Sequence, residues 1–340
     1  MADVPLRPSR RRRAGLRDGR RRRVRAGLVV IGFVGSGLAG ALGYFLPVLS
    51  AALQITGHHD QLPSLPAGQV AALGPAPAAG SQAPFTVLLL GSDNDAKFSG
   101  DHLLTQSMIL VRVLPAEKRV VMLSIPRDLW VPIAGGGSAK IDAAYARDGA
   151  RSAIATVEQD FHVHVDHYVW TGLNGLIALI DAVGGVDVVA SNPVMDDFYP
   201  ADLNTTNPYA YERVAVLPGA QHMTGPEALQ YVRSRHGDLR EDFGRSERQQ
   251  QLLLALRAKA RTLSAANLPD LAGALQGQMS TDMGLGQVAE LLPLMSGLSL
   301  TDVQRIILLP PYTGSAQIDG QDAVTPNWDL IRPLVATSFP

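Results

Sequence analysis

The chain has 340 residues, 18% of them charged, a formal net charge of −1 and no cysteine. Disulfides are therefore excluded, and any folded part rests on its own apolar core, for which the length is ample. The balanced total conceals a split: residues 1–25 hold eleven Arg and two Asp, leaving 19 basic and 29 acidic residues beyond them, an acidic remainder that does not suit a nucleic-acid-binding surface.

The basic tail of residues 1–25 abuts a run with no Asp, Glu, Lys or Arg from Ala26 to Gly57. Crossing about 30 Å of hydrocarbon takes roughly 20 helical residues, so residues 26–53 are read as one transmembrane helix. Arginine-rich flanks stay in the cytoplasm. The expectation is a single-pass protein of the cell membrane, with a cytoplasmic N-terminus and an extracellular C-terminal domain. A cleaved signal peptide ending near Ser50-Ala51-Ala52 is the competing reading, and an arginine arm for nucleic acid a weaker one. Residues 54–84 are rich in Pro, Ala and Gly with no persistent period, as in a linker. Residues 85–340 remain for one folded domain.

In that domain short apolar runs alternate with helical patterns. FTVLLL (Phe85 to Leu90) reads as a buried strand ending at Gly91, where the chain is expected to turn. MILVRV (Met108 to Val113) and VVMLSI (Val120 to Ile125) read as strands of a hairpin. A helix from about Ile141 to Phe161, a strand at Tyr168 to Trp170 and a helix from Leu173 to Ala182 follow; Gly184-Gly185 ends that helix before a strand from Val186 to Val189. Thr224-Gly-Pro-Glu227 has the spacing of a capping box and opens the helix PEALQYVRS. A longer helix is expected from about Gly244 to Lys259, more helix to about residue 297, and a last strand from Ile306 to Leu309. Such alternation predicts an α/β fold, a sheet covered by helices on both faces.

Four polar clusters follow apolar strands or open helices, where ligand sites of open α/β sheets lie. They are GSDND with Asp93, SIPRDLW with Arg127 and Asp128, YVRSRH with Arg233 and Arg235, and DFGRSERQQ with Asp242, Arg245, Arg248 and Gln249. Guanidinium groups match phosphate oxygens with forked donors. Helical spacing places Arg245 on one stripe with Leu252 and Leu256, the inward face, where a charge requires an anion. Each cluster alone has a structural reading: a loop ion pair for Arg127–Asp128, an N-cap for Asp242, a solvated helix end for Arg233 and Arg235. Together they point to a site for a phosphate-like anion. His162, His164 and His167 offer a weak zinc reading, more simply a surface edge strand, and Gly135-Gly136-Gly137 reads as a tip turn.

The runs LLLGSD, VVMLSIPRDLWVPI, KIDAAYA, LIDAVGGVDV, LPGAQHMTGPEALQYVRSRH and DFGRSERQQQLLLAL occur in order between about residues 86 and 260. In that order they resemble the LytR–CpsA–Psr family of phosphotransferases, as does the basic tail with its spanning helix. The resemblance implies an α/β/α sandwich around a central mixed sheet, with an apolar pocket for a polyprenyl chain. It implies transfer of a phosphorylated glycopolymer from a polyprenyl-pyrophosphate carrier to a hydroxyl of peptidoglycan. Arg127, Arg233, Arg235 and Arg245 would grip the pyrophosphate with Gln249 beside them, and Asp242 would orient the arginines. Asp93 would ligate a divalent ion such as magnesium. The sequence departs from the family where an aspartate usually precedes the second strand: Gln106 stands there, with Asp101 five residues earlier as a substitute ligand, and Asp142 replaces a more usual Asn. A carboxylate would take the hydroxyl proton, with Asp93 and Asp242 as the candidates. A pyrophosphate hydrolase and a non-catalytic binder of the lipid-linked glycan remain as alternatives, while a DNA-binding regulator conflicts with the acidic domain.

Overall fold

The computed structural model describes residues 48–51, 53, 54, 83–93, 103–201, 210–235, 241–262, 267–283 and 302–340. Most of the expected spanning segment 26–53 and of the linker 54–84 lies outside the described residues. No helix among the described residues is long and apolar enough to cross a membrane.

The folded chain begins with β1 (Phe85–Ser92), β2 (Thr105–Leu114) and β3 (Arg119–Ile125). A small hairpin, β4 (Trp130–Pro132) and β5 (Ser138–Lys140), leads through a 3-10 turn (Ile141–Ala143) into α1 (Ala144–Phe161). Then come β6 (His167–Gly172), α2 (Leu173–Ala182), β7 (Val186–Ala190), β8 (Val194–Pro200), β9 (Tyr211–Val216) and β10 (Gly219–Met223). Helices α3 (Gly225–Arg233), α4 (Glu241–Ala260) and α5 (Leu268–Leu275) follow. The end is built from β11 (Met279–Thr281), β12 (Val303–Ile307), β13 (Thr313–Ile318), β14 (Gln321–Pro326) and α6 (Trp328–Ser338).

Six strands form a mixed sheet in the order β11-β6-β1-β2-β3-β12. The β1–β2 and β2–β3 pairs are antiparallel, whereas β6 and β12 join in parallel. Alternating side chains make both faces apolar, because a sheet covered on two sides has no solvent face. Leu88, Leu90, Leu110 and Leu123 project to one side, where they join Ile154, Val157 and Phe161 of α1 and Ile331 and Val335 of α6. Ile109, Val113, Val120 and Met122 project to the other, against Leu253 and Leu254 of α4. A further core joins α2, β7, α3 and α4 through Ile180, Val186, Tyr231 and Leu252. The layered α/β arrangement expected from the alternation is present.

The capping box is closed: the Glu227 carboxylate accepts the Thr224 N–H at 2.8 Å and fixes where α3 starts. Just behind it, α2 and α3 touch through backbone. A Cβ at Gly225 would lie 2.4 Å from the Ile177 carbonyl oxygen. The triple glycine is a tip turn as expected, with φ of 95°, 115° and 79° at Gly135, Gly136 and Gly137.

Four expectations need correction. Gly91 does not turn the chain; it stays in β1, where a Cβ would meet the Cβ of Ser107 at 3.2 Å, so it serves close approach of strands. The helical run expected to about 297 is broken by Gly277 at φ 73° and by edge strand β11; residues 284–301 lie outside the described ones. Ile306 to Leu309 is not the last strand, because β13 and β14 follow β12. The histidines do not sit on an edge strand: His162 caps α1 in the left-handed region, and β6 is flanked by β1 and β11. Each remaining imidazole has its own carboxylate, His164 on Glu158 and His167 on Asp282, both at 2.8 Å.

Two stability predictions follow from this packing. Gly225→Ala should lower unfolding free energy by about 1–3 kcal/mol in a denaturant titration, because the new methyl meets backbone that cannot yield. Asp160 on α1 is 4% exposed, with Oδ2 lacking a hydrogen-bond partner, and burial pushes its carboxyl up to about 6. Its folded-state value lies above the unfolded one, so its contribution is fully present below pH 3.8 and is lost as pH rises to about 6. Asp160→Asn should therefore raise the unfolding free energy at pH 8, by on the order of 1–3 kcal/mol, and leave it nearly unchanged at pH 3.5.

Candidate functional site

The pairing of the central strands assembles the first half of the site. The β2–β3 register ends with Met108 opposite Ile125, and Arg127 follows just past Pro126, beyond the end of β3. Arg127 donates Nη1–H to Gln106 Oε1. Gln106 in turn donates Nε2–H to Asp93 Oδ2 at 2.7 Å. A guanidinium only donates, so the amide oxygen must face Arg127 and its nitrogen Asp93. Asp93 is 4% exposed, its N–H donates to Leu104 O, and its Oδ1 is buried without a hydrogen-bond partner. Burial raises its carboxyl above the ordinary range, against the lowering by Gln106, its own backbone and Arg233.

The next residue gathers cations. Asp128 lies 3.4 Å from Arg127 Nε, 2.9 Å from Lys140 Nζ and 3.9 Å from an Nη of Arg235. Burial pushes its carboxyl up, but the three cations outweigh that and hold it below the ordinary value. The loop ion pair weighed from sequence is thus real, and it carries Arg127 rather than removing it from the site. Asp142 is 6% exposed behind this cluster; burial pushes its carboxyl up to about 6, against the pull of Arg127. The Val324 N–H of β14 donates to the Asp128 carbonyl, and Leu129 bridges Val324, so the arginine loop is clamped by the C-terminal hairpin.

Helices α3 and α4 supply the second half. Arg248 is 5% exposed and donates to the Tyr231 carbonyl at 2.6 Å and to the Ser234 carbonyl at 2.5 Å, with its guanidinium over the Tyr231 ring. It satisfies carbonyls that the end of α3 leaves open. Burial lowers its guanidinium to about 10. It ties the two helices together. That tie brings Arg233, on the last turn of α3, and Arg245, on the second turn of α4, to one opening. Both line an apolar cavity of about 190 Å³ between the sheet and α2–α4, with Leu89, Ile109, Leu176 and Leu252 among its walls. Gln106 and Gln249 share that rim, Gln249 accepting from the Ser107 hydroxyl at 3.0 Å.

The sequence-predicted residues therefore divide. Asp93, Arg127, Arg233, Arg245 and Gln249 converge at the cavity rim or one hydrogen bond from it. Arg235 does not line the cavity; it lies 3.9 Å from Asp128 and lines a second cleft. Asp242 falls on the first turn of α4, but its side chain lies outside the described residues, as does all of Asp101. Sequence reasoning missed Lys140, although it stands in the quoted KIDAAYA run, and missed the bridging role of Gln106.

Among the described residues no three His, Asp or Glu side chains converge on a common point. The unpartnered Asp93 Oδ1 is the donor a divalent ion would use. Gln106 adds no negative charge there; its carbonyl accepts from Arg127 and its N–H2 faces Asp93. The residues fit an ion held by one carboxylate and by oxygens of a bound phosphate, the usual manner of magnesium, and not an all-protein cage.

Comparison with known proteins places this geometry. The LytR_cpsA_psr family model matches residues 63–324. A polyisoprenyl-teichoic acid–peptidoglycan teichoic acid transferase, TagU of Bacillus cereus, is 33% identical over 210 residues, which cover 61% of this chain and 63% of the relative. TagV of Bacillus subtilis, named for the same activity, is 38% identical over 177 residues, covering 51% of this chain and 43% of the relative. The chain thus spans less than two thirds of these relatives' length. The crystal structure of B. subtilis TagV superposes with a TM-score of 0.62 at 27% identity, covering 76% of this chain and 98% of that one. With more than half of its length matched by the family model and its fold shared with a solved relative, the chain belongs to the LytR–CpsA–Psr family.

Proposed function

We propose that the protein is a transferase that moves a phosphorylated glycopolymer from a polyprenyl-pyrophosphate carrier to a hydroxyl of peptidoglycan. The observation that carries this reading is an apolar cavity whose rim bears Arg233 and Arg245, with Arg127 linked to that rim through Gln106. Apolar walls suit a polyprenyl tail, and a rim of guanidinium groups suits the pyrophosphate where the tail ends. The names of the relatives support the same substrates. The arginine-rich tail and the uncharged residues 26–53 support a single-pass anchor that keeps the domain outside the cell membrane.

In the reaction, an acceptor hydroxyl oxygen bonds to the phosphorus that carries the glycan. The bond from that phosphorus to the bridging oxygen breaks, and polyprenyl phosphate leaves with the electron pair. Arg127, Arg233 and Arg245 hold the pyrophosphate in line and offset the negative charge that grows on the leaving oxygen. The hydroxyl proton passes to a carboxylate, Asp93 or Asp242. A magnesium ion on Asp93 Oδ1 would supply further charge neutralisation. With Gln106 in place of a second carboxylate, that ion would be held weakly and chiefly by the substrate.

The test is transfer by the full chain in detergent, from a synthetic polyprenyl-pyrophosphate glycan to peptidoglycan oligomers. Arg127→Ala and Arg245→Ala should each lower transfer on the order of 10²-fold or more, with the fold intact by circular dichroism. Phosphate release that proceeds equally without acceptor would identify a hydrolase instead, and saturable lipid binding with no turnover a binding protein. Chelator should reduce transfer, and Gln106→Glu, which adds a carboxylate of equal reach, should lower the half-saturating magnesium concentration on the order of tenfold. Transfer indifferent to chelator in both proteins would remove the metal from the reaction.

A further inference from the structure

Beside the rim of the apolar cavity a second cleft, about 480 Å³, opens between the β8–β9 hairpin and the end of α3. It is of the size of small-ligand sites. Its walls differ in kind from those of the first cavity. Phe198 and Tyr211 stand 59% and 55% exposed, paired edge to face with ring centroids 6.1 Å apart. Tyr199 is buried below them with the Arg233 guanidinium 5.8 Å from its ring, and Arg235 stands at the side.

This arrangement is held in advance of any ligand. The β8–β9 register shifts between Asp196 and Tyr199, and such a bulge re-aims side chains beside functional sites. Asp196, 2% exposed, accepts the Phe198 N–H at 3.0 Å on one oxygen and the Arg235 N–H at 3.0 Å on the other. One buried carboxylate thus fixes the bulge and the chain after α3 relative to each other. Two large aromatic faces remain turned to water, where burial gives no reason for them.

Arg233 lines both the cavity and the cleft. A ligand with its tail in the cavity and its pyrophosphate at Arg233 must continue outward past this residue. We propose that the cleft binds the first sugar rings of the lipid-linked glycan, with Phe198 and Tyr211 against the C–H faces of the rings and Arg235 donating to their hydroxyls. Rigid, amphipathic rings suit such a partner, since a sugar presents an apolar face and a polar edge. The inference rests on the carrier reading above and names a part of the substrate that the cavity does not hold.

The test uses the full chain in detergent and two lipids of identical polyprenyl tail, one a bare pyrophosphate and one carrying a disaccharide on it. The unaltered protein should bind the glycosylated lipid about tenfold more tightly than the bare one. The double variant Phe198→Ala/Tyr211→Ala, both positions being exposed, should fold with an unchanged melting temperature. It should keep its affinity for the bare lipid and lose the tenfold difference. A preserved difference in the double variant would overturn the subsite while leaving the carrier site standing. So would unchanged binding of both lipids with a raised half-saturating concentration of peptidoglycan oligomer, which would assign the cleft to the acceptor. Failure of the unaltered protein to bind either lipid would overturn the carrier reading, and this inference with it.

Discussion

The site depends first on one buried guanidinium that joins two helices. Arg248 donates to the carbonyls of Tyr231 and Ser234 and so locks α4 onto the end of α3. A helix end leaves carbonyls without intrahelical partners, and an arginine reaching across from a neighbouring helix satisfies two of them at once. Once that register is set, Arg233 and Arg245 share one opening and the leucines of both helices close one cavity. Four arginines within a few turns of chain serve different ends: Arg248 ties, Arg233 and Arg245 stand at the cavity rim, and Arg235 turns to the neighbouring cleft.

The other half of the site is a linear relay of polar groups, Arg127 to Gln106 to Asp93. Its middle member is neutral. A carboxylate in that position would place two negative charges side by side under a third group that is positive, and would favour a cation between them. The amide instead gives its oxygen to the arginine and its N–H2 to the aspartate, bridging the two without adding a charge of its own. The single replacement therefore shifts the balance of the rim toward its arginines.

Much of this arrangement is legible in sequence for physical reasons. The β1 to β3 strands show as apolar runs because both sheet faces are covered, and α3 shows because its capping box and proline are local signals. The inward stripe of α4 follows from helical spacing alone, and Arg245 is indeed 5% exposed. The features that escaped reading are those set by distant partners. Gly91 looks like a turn until Ser107 is placed against it. Arg248 looks like one more anion-binding arginine until the Tyr231 and Ser234 carbonyls arrive from another helix. The β8–β9 hairpin has strands that alternate weakly, with exposed Met195, Phe198 and Tyr211, so its pattern gives no inward face to recognise.

The C-terminal hairpin has a bearing on when the site comes into being. Val324 on β14 bonds the carbonyl of Asp128, and β12 closes the sheet beside β3, while Ile331, Val335 and Phe339 complete the core under α1. The loop that carries Arg127 is thus fastened by chain lying some two hundred residues downstream. Contacts of such long sequence separation form late and slowly, after the loop-closure cost has been met. During synthesis the arginine loop emerges well before the Val324 segment that clamps it in the folded protein. Competence for chemistry is in this way deferred until the segment around Val324 has been made, and a chain cut before it would carry every arginine of the site without the frame that aims Arg127.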